Sequence, residues 1–416
     1  MTVTGIIAEY NPFHNGHLFH LQETKRLLPE SPVIAVMSGH FLQRGEPALL
    51  NKWARAEMAI LQGVDLVLEL PVLYSCRSAY WFARGGLEIL KATGVVSHFS
   101  FGVENDDLSA LTQAASILAQ EESSFKQDLQ EYLNQGLSFP KARAEALQKN
   151  TQLPQNLWSK PNNVLALTYL QVNEELQLDL IAVPIKRRGS GYNEKSLRAN
   201  ENPSASAIRA ILTNSPDRDF SETLHNLEPY LPSTSIEIIE REYKSGQCPV
   251  HFESLTPQIL TLLRRSSPEE LQHIIEVTEG LENRLYESAF MATNLADYLS
   301  LVKTKRFTYS RLQRFLIHLL LNYRKTNETL LHKGPPYLRV LGFNATGQKV
   351  LKEIKSRSKL PVITQGKESK KLISSSRFRV FWEKDILASD LYNLLYPAQE
   401  ARKGKTDYLL SPFKDT

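Results

Sequence analysis

Two histidines three residues apart carry the clearest chemical signal: His14 and His17, in the run Ala8-Glu9-Tyr10-Asn11-Pro12-Phe13-His14-Asn15-Gly16-His17. Residues spaced i and i+3 share one face of a helix. The run follows a short apolar stretch, residues 5–10, and opens a helical pattern over residues 17–28. A helix start presents outward N–H groups and the positive end of the dipole, so it favours an anion. Gly16 has no side chain, so a phosphate or a flat ring can approach the backbone. Pro12 pre-sets the turn. Such a site suits a nucleoside triphosphate. The imidazoles can donate hydrogen bonds to phosphate oxygens and, as cations, balance charge that grows in phosphoryl or nucleotidyl transfer. Two blander readings use the same residues: imidazoles that only cap a helix, and a zinc site. Zinc takes three or four ligands, and no cysteine lies near. The candidate nucleotide-binding stretch is Ile7, Ala8, Glu9, Tyr10, Asn11, Pro12, Phe13, His14, Asn15, Gly16, His17, Leu18, Phe19 and His20, with His14 and His17 catalytic.

A second set of candidates lies further on. Lys186, Arg187 and Arg188 follow a strand-like run and can clamp phosphates, with Lys186 as a third catalytic residue. A solvated charge run is the alternative. Gly102 ends a strand where the backbone can meet a nucleotide. Asn162 and Asn163 precede a helix, so one is expected to cap it and the other to contact the nucleotide. Arg44 follows the second strand and faces the acyl or phosphate end, or forms a loop salt bridge. Cys76 reads as a small buried residue.

The elements that position these residues alternate. Strand patterns at 5–10, 32–37, 65–70, 95–101 and 178–185 are interleaved with helical patterns at 17–28, 53–62, 78–92, 107–150 and 165–176. This alternation predicts an α/β fold with a doubly wound parallel sheet and ligands at the carboxyl ends of its strands. Beyond residue 216 the patterns turn helical, at 222–231, 257–265, 268–276, 280–291, 296–301, 310–323 and 347–356. Residues 355–379, rich in Lys, Arg and Ser, read as a basic loop. Two domains are expected: 1–215, which binds the nucleotide, and 216–416, mainly α-helical and basic.

Composition supports this division. The chain is 42% hydrophobic and 23% charged, which excludes disorder as its dominant state. Two cysteines exclude a disulfide scaffold. The net charge of +4 conceals a split. Residues 1–300 hold 25 Lys and Arg against 36 Asp and Glu, net −11, and residues 301–416 hold 24 against 9, net +15. A basic end on an acidic body is expected to meet a polyanion, nucleic acid before membrane. Tyr309, Tyr323, Phe378, Phe381 and Trp382 are interleaved with the charges, as core residues or as platforms for unpaired bases. No leader pattern and no apolar run near 20 residues is seen, so a cytoplasmic protein with no membrane association is the expectation.

The His14-Asn15-Gly16-His17 turn resembles the His-x-Gly-His signature of the nucleotidyltransferase superfamily, whose core is Rossmann-like. The run from Ser204 to Ile208-Arg209 resembles its second element. More of the chain resembles one family, the tRNA(Met) cytidine acetate ligases. The segments that carry this are residues 5–17, 36–48, 52–55 and 68–71, Phe101-Gly102, residues 161–165 and 185–187, Gly191-Tyr192, residues 310–314 and 341–344. The segment Ser38-Gly39-His40-Phe41-Leu42-Gln43-Arg44-Gly45-Glu46-Pro47 is the most discriminating. The chain departs from the family pattern at His40, Asn51, Val103 and Asn193. The resemblance implies that acetate and ATP, with Mg²⁺, give acetyl-adenylate. The acetyl group then passes to N4 of the wobble cytidine of elongator tRNA(Met). Two other functions fit the residues: a small-molecule adenylyl- or cytidylyltransferase, and a nucleotide-sensing RNA-binding protein.

Overall fold

The computed structural model describes residues 2–104, 107–120, 123–151, 153, 156–187, 205–214, 220–278 and 280–415. Its strands are β1 (Thr4–Ala8), β2 (Val33–Ser38), β3 (Leu66–Leu70), β4 (His98–Val103), β5 (Ile181–Lys186), β6 (Leu338–Asn344), β7 (Val362–Ile363) and β8 (Phe413–Asp415). They form one sheet in the order β5-β4-β1-β2-β3-β6-β7, with β8 beside β6. β1 to β5 are mutually parallel. The chain winds outward in both directions from β1, so the carboxyl ends of β1 and β4 flank the switch point where such folds bind ligands.

Alternation along the strands explains why both faces are covered. Ile34, Val36, Leu66 and Leu68 enter one core with helices Ala79–Ala92 and Pro161–Glu175. Val33, Ala35, Met37 and Val67 enter another with helices Lys52–Leu61 and Ser233–Lys244. Every residue of β2 and β3 is buried, as central parallel strands require. Helix Ala79–Ala92 packs very close to β1. A Cβ on Gly86 would stand 2.5 Å from Ile7, so glycine is needed there.

The parallel core follows the sequence expectation, with strand starts shifted. β5 begins at Ile181 rather than 178 because Gln177 and Asp179 turn through positive φ of 49° and 52°. The division at 215/216 does not divide the sheet. β6, from the last quarter of the chain, pairs antiparallel with β3. Residues from the region expected to be mainly helical thus complete the sheet and share its core through Leu338, Val340 and Trp382. Residues 355–379 are no loop either. They end helix Ala345–Arg357, form β7 and a 3₁₀ turn at Gly366–Lys371, and start helix Ser376–Asn393. That last helix buries polar Asp385, Ser389 and Asn393 with its aromatics, so it lacks a simple apolar stripe. Helix Pro268–Leu271 stops after one turn, well short of 276. Helices Thr256–Arg265, Leu281–Met291, Leu295–Val302 and Tyr309–Leu320 have a core of their own, which also takes Phe41, Val72 and Cys76. Burial pushes the Cys76 thiol up to about 12, which keeps it an inert packing group. No described helix is long and apolar enough to cross a membrane.

Candidate active site

The turn after β1 is built by burial. Tyr10 sits at φ +46° and is buried with Phe13, their rings 4.8 Å apart. The Asn11–Pro12 peptide is cis. The chain then enters helix Asn15–Leu27 with His14 as its N-cap. His14 Nδ1 accepts the Gly16 N–H at 2.9 Å, and His17 Nδ1 accepts the His14 N–H at a longer 3.4 Å. With its Nδ1 accepting, the neutral His14 ring carries its proton on Nε2, while the His17 ring also meets the Pro12 carbonyl. The two rings lie 3.9 Å apart at 33°, with Tyr10 against the edge of His17 at 5.0 Å. The capping reading and the donor reading are therefore the same structure. One nitrogen of His14 closes the helix and the other is left to donate. His20 follows one turn on, its Nε2 2.9 Å from Ser100 Oγ on β4.

A cavity of about 180 Å³ opens over this turn at the carboxyl ends of β1 and β4. It gathers Ile7, Ala8, Glu9, Tyr10, Asn11, His14, His17, His20, Gly102, Asn162 and Arg187 from the sequence-derived set. Pro12, Phe13, Gly16, Leu18 and Phe19 shape the turn and helix without lining it. Asn15 turns away, its Nδ2 donating to Pro229 O at 2.9 Å. Of the two asparagines, Asn162 lines the cavity, and its Nδ2 donates to Glu104 Oε1 at 2.7 Å. Asn163 is fully buried and accepts the Glu104 N–H at 2.9 Å. Neither caps the helix. Pro161 occupies the first turn, which leaves Lys160 as N-cap. Lys186 points out of the site. Lys186 and Arg187 are both exposed, but alternation puts Arg187 on the face of buried Ile185, where it lines the cavity and lies along Gly102. Arg188, Gly191-Tyr192, Asn193 and Ser204 lie outside the described residues.

The cavity also takes residues that sequence reasoning left out or weighed lightly. Arg209, from helix Ala205–Asn214, donates to Asn11 O at 3.0 Å and to Glu46 at 3.3 Å. Gln43 enters from the loop after β2, its N–H held by Glu9 Oε1 at 2.8 Å. Phe82, Leu165 and Tyr169 supply an apolar wall. They sit on helices packed into the core, where apolar residues abound, so nothing in their spacing marks them.

Burial sets the protonation. It pulls His14 down to about 3 and His20 to about 4, with Arg187 adding to both and Arg209 to His14. His17 falls well below its usual value for the same reasons, with His14 beside it. The imidazoles expected from the sequence to be cationic are thus neutral in the free protein, because a desolvated ring near the Arg187 guanidinium disfavours its charge. Burial conversely raises Glu9. Imidazole NMR signals should accordingly show an Nε2–H tautomer for His14, and no titration of His14 or His20 between pH 8 and 5.5. A non-hydrolysable triphosphate should shift their titration upward, since an adjacent anion favours the charged ring. A midpoint near 6.5 in the free protein would contradict this assignment.

A Rossmann-like sheet with paired histidines at the helix start beyond β1 defines a nucleotidyl transferase, and the comparisons agree. The family model for HIGH nucleotidyl transferases matches residues 1–407, and the chain belongs to that family. Within it the relatives are more particular. The tRNA(Met) cytidine acetate ligase of Thermoanaerobacter pseudethanolicus is 43% identical over 398 residues, covering 95% of this chain and 96% of its own. That of Halothermothrix orenii is 38% identical over the whole of both chains. The chain therefore belongs to the tRNA(Met) cytidine acetate ligase family. The crystal structure of apo Thermotoga maritima TmcAL superposes with a TM-score of 0.94, at 34% identity over all of both chains. The same protein bound with alpha-thio ATP gives 0.92.

Proposed function

We propose that this protein is an ATP-dependent acetate ligase acting on the wobble cytidine of elongator tRNA(Met). An acetate oxygen attacks the α-phosphorus of ATP, the bond to the β,γ-diphosphate breaks, and pyrophosphate leaves. The exocyclic N4 amine of cytidine then attacks the acetyl carbon of the acetyl-adenylate. The acyl C–O bond breaks, AMP leaves with the electron pair, and the amine loses a proton. Both steps need positioning and charge stabilisation more than a protein nucleophile. One observation carries the reading: two stacked imidazoles, His14 with its Nε2–H set as donor, at a helix start on the switch point of the sheet. Their neutral N–H groups meet the triphosphate, with Arg187 and Arg209 as its cations. Mg²⁺ comes with ATP, and Glu9 is the one carboxylate among the described lining residues. The protein works in the cytoplasm, and the basic residues of 301–416 track the tRNA backbone.

The test is incubation with labelled acetate and ATP, with and without elongator tRNA(Met). Label in the tRNA supports the ligase. Pyrophosphate release only with another phosphorylated substrate points to a small-molecule transferase, and no turnover points to a sensor. Because Arg187 lines the cavity and Lys186 does not, Arg187→Ala should raise KM for ATP by about one to two orders of magnitude, the cost of a lost charge-assisted contact. Lys186→Ala should change it less than threefold. Equal effects would reassign the clamp.

A further inference from the structure

A second and larger cavity, about 970 Å³, lies between helices Phe139–Asn150, Pro161–Glu175 and Tyr309–Leu320. Gln43 lines it as well as the histidine cavity, so the two spaces meet at one side chain. That residue is fixed from two sides. Its N–H is held by Glu9, and its Nε2 donates to Arg77 O at 2.9 Å. The volume is several times that of the first cavity and falls within the range that encloses a nucleotide-sized ligand.

Its lining is aromatic and cationic. Tyr80 and Trp158 stand inside and Phe139 at the edge, 56% exposed. Lys141, Arg143, Arg306, Arg311 and Arg314 face two carboxylates, Glu145 and Glu276. Glu276 is already committed to Arg311 and Arg314. Arg143 has no carboxylate partner among the described residues. Its Nη2 donates to the uncharged Gln171 at 2.7 Å, and burial lowers its pKa to about 10. A half-buried guanidinium without a carboxylate partner is well placed to receive an anionic ligand. Trp158 is 4% exposed, and its indole N–H is unpartnered among the described residues. Stacking faces beside cations and an unused donor are the means by which proteins hold an unpaired RNA base.

We propose that this cavity receives the acceptor nucleotide: a base turned out of a single-stranded RNA segment lies among Tyr80, Phe139 and Trp158, with its flanking phosphates on Arg143 and Arg306. This rests on the RNA-acceptor reading above. The base enters beside Gln43, which places its amine toward the adenylate formed over His14 and His17. Phe139→Ala and Arg143→Met separate this pocket from the nucleotide site. Each should lower kcat/KM for acetyl transfer to tRNA by about tenfold or more, as stacking and phosphate contacts are worth. Acetate-dependent ATP–pyrophosphate exchange should fall at least tenfold less than transfer. Phe139→Trp should restore transfer, because any large aromatic face can stack. Equal losses in exchange and transfer would place the cavity in the adenylation site and overturn the proposal, and so would transfer at the wild-type rate in both variants. If the wild-type protein shows no exchange at all, the ligase reading fails first. The pocket is then tested by anisotropy of a labelled anticodon stem-loop, whose affinity should still drop about tenfold in Phe139→Ala. Unchanged binding there would overturn the pocket as well.

Discussion

His17→Ala and His14→Asn are each expected to slow acetate-dependent ATP–pyrophosphate exchange by about 10²–10³-fold, the usual cost of removing one preorganised donor to developing charge. The pair is chosen to keep folding apart from chemistry. His14 caps the helix through Nδ1, accepting from Gly16 at 2.9 Å. Asparagine is among the best N-cap residues, so His14→Asn keeps the acceptor and loses the imidazole donor. His14→Ala would lose both, with about 1 kcal/mol of helix stability added to the chemical defect. His17 contributes less to the cap, because its contact with the His14 N–H is 3.4 Å long. It does pack against Tyr10 and Phe13, at 5.0 and 5.6 Å between ring centres. His17→Gln therefore serves as a bulkier companion to alanine. Melting within a few degrees of wild type, together with lost exchange, assigns both rings to the reaction. Exchange within threefold of wild type in either variant would reduce that histidine to a cap.

The local part of this site is legible in the sequence. The turn from Tyr10 to His17 is set by neighbours in sequence, and apolar runs bounded by turn residues set the parallel strands that present it. What escaped depends on side-chain parity or on distant pairing. Lys186 and Arg187 look alike as letters, yet strand alternation turns one outward and the other over Gly102. Carrying the period of two past Ile185 would have separated them. Neither Phe82 nor Tyr169 differs in pattern from any core aromatic. The run Leu338-Arg339-Val340-Leu341-Gly342-Phe343 reads as apolar, but its partner β3 lies some 270 residues earlier, and no local signal carries that pairing. Likewise the basic tail blurred two kinds of charge. Lys367, Lys370 and Lys371 are exposed, while Arg339 is buried and paired. Of the aromatics interleaved with them, Tyr323, Phe378, Phe381 and Trp382 are core, and Tyr309 alone is exposed.

The largest stability effect is expected from Lys52→Met. Lys52 is fully buried, its ammonium 2.8 Å from Glu69, 2.7 Å from Asp407 and 3.3 Å from Ser389. Arg339 meets the same two carboxylates at 3.2 and 3.0 Å and lies over Trp382 at 4.7 Å. Two cations thus balance two anions where no water helps, and they tie helix Lys52–Leu61 to the far end of the chain. The two cations hold Asp407 below the usual carboxylate range despite its burial. Methionine matches the lysine stem but leaves Glu69 and Asp407 sharing one guanidinium. Breaking a buried pair from one side costs about 3–5 kcal/mol, which in a chain of this size lowers Tm by several degrees. The consequence reaches the active site, because one turn along the same helix Arg55 donates to Glu9 O at 2.6 Å and also to Gly39 O. Those contacts hold the loops after β1 and β2 that carry Tyr10 and Gln43. Removing one anion along with the cation restores the balance, so Lys52→Met/Glu69→Leu should recover more than half of the lost stability. Strict additivity of the two substitutions would show that packing, not uncompensated charge, is what the network supplies.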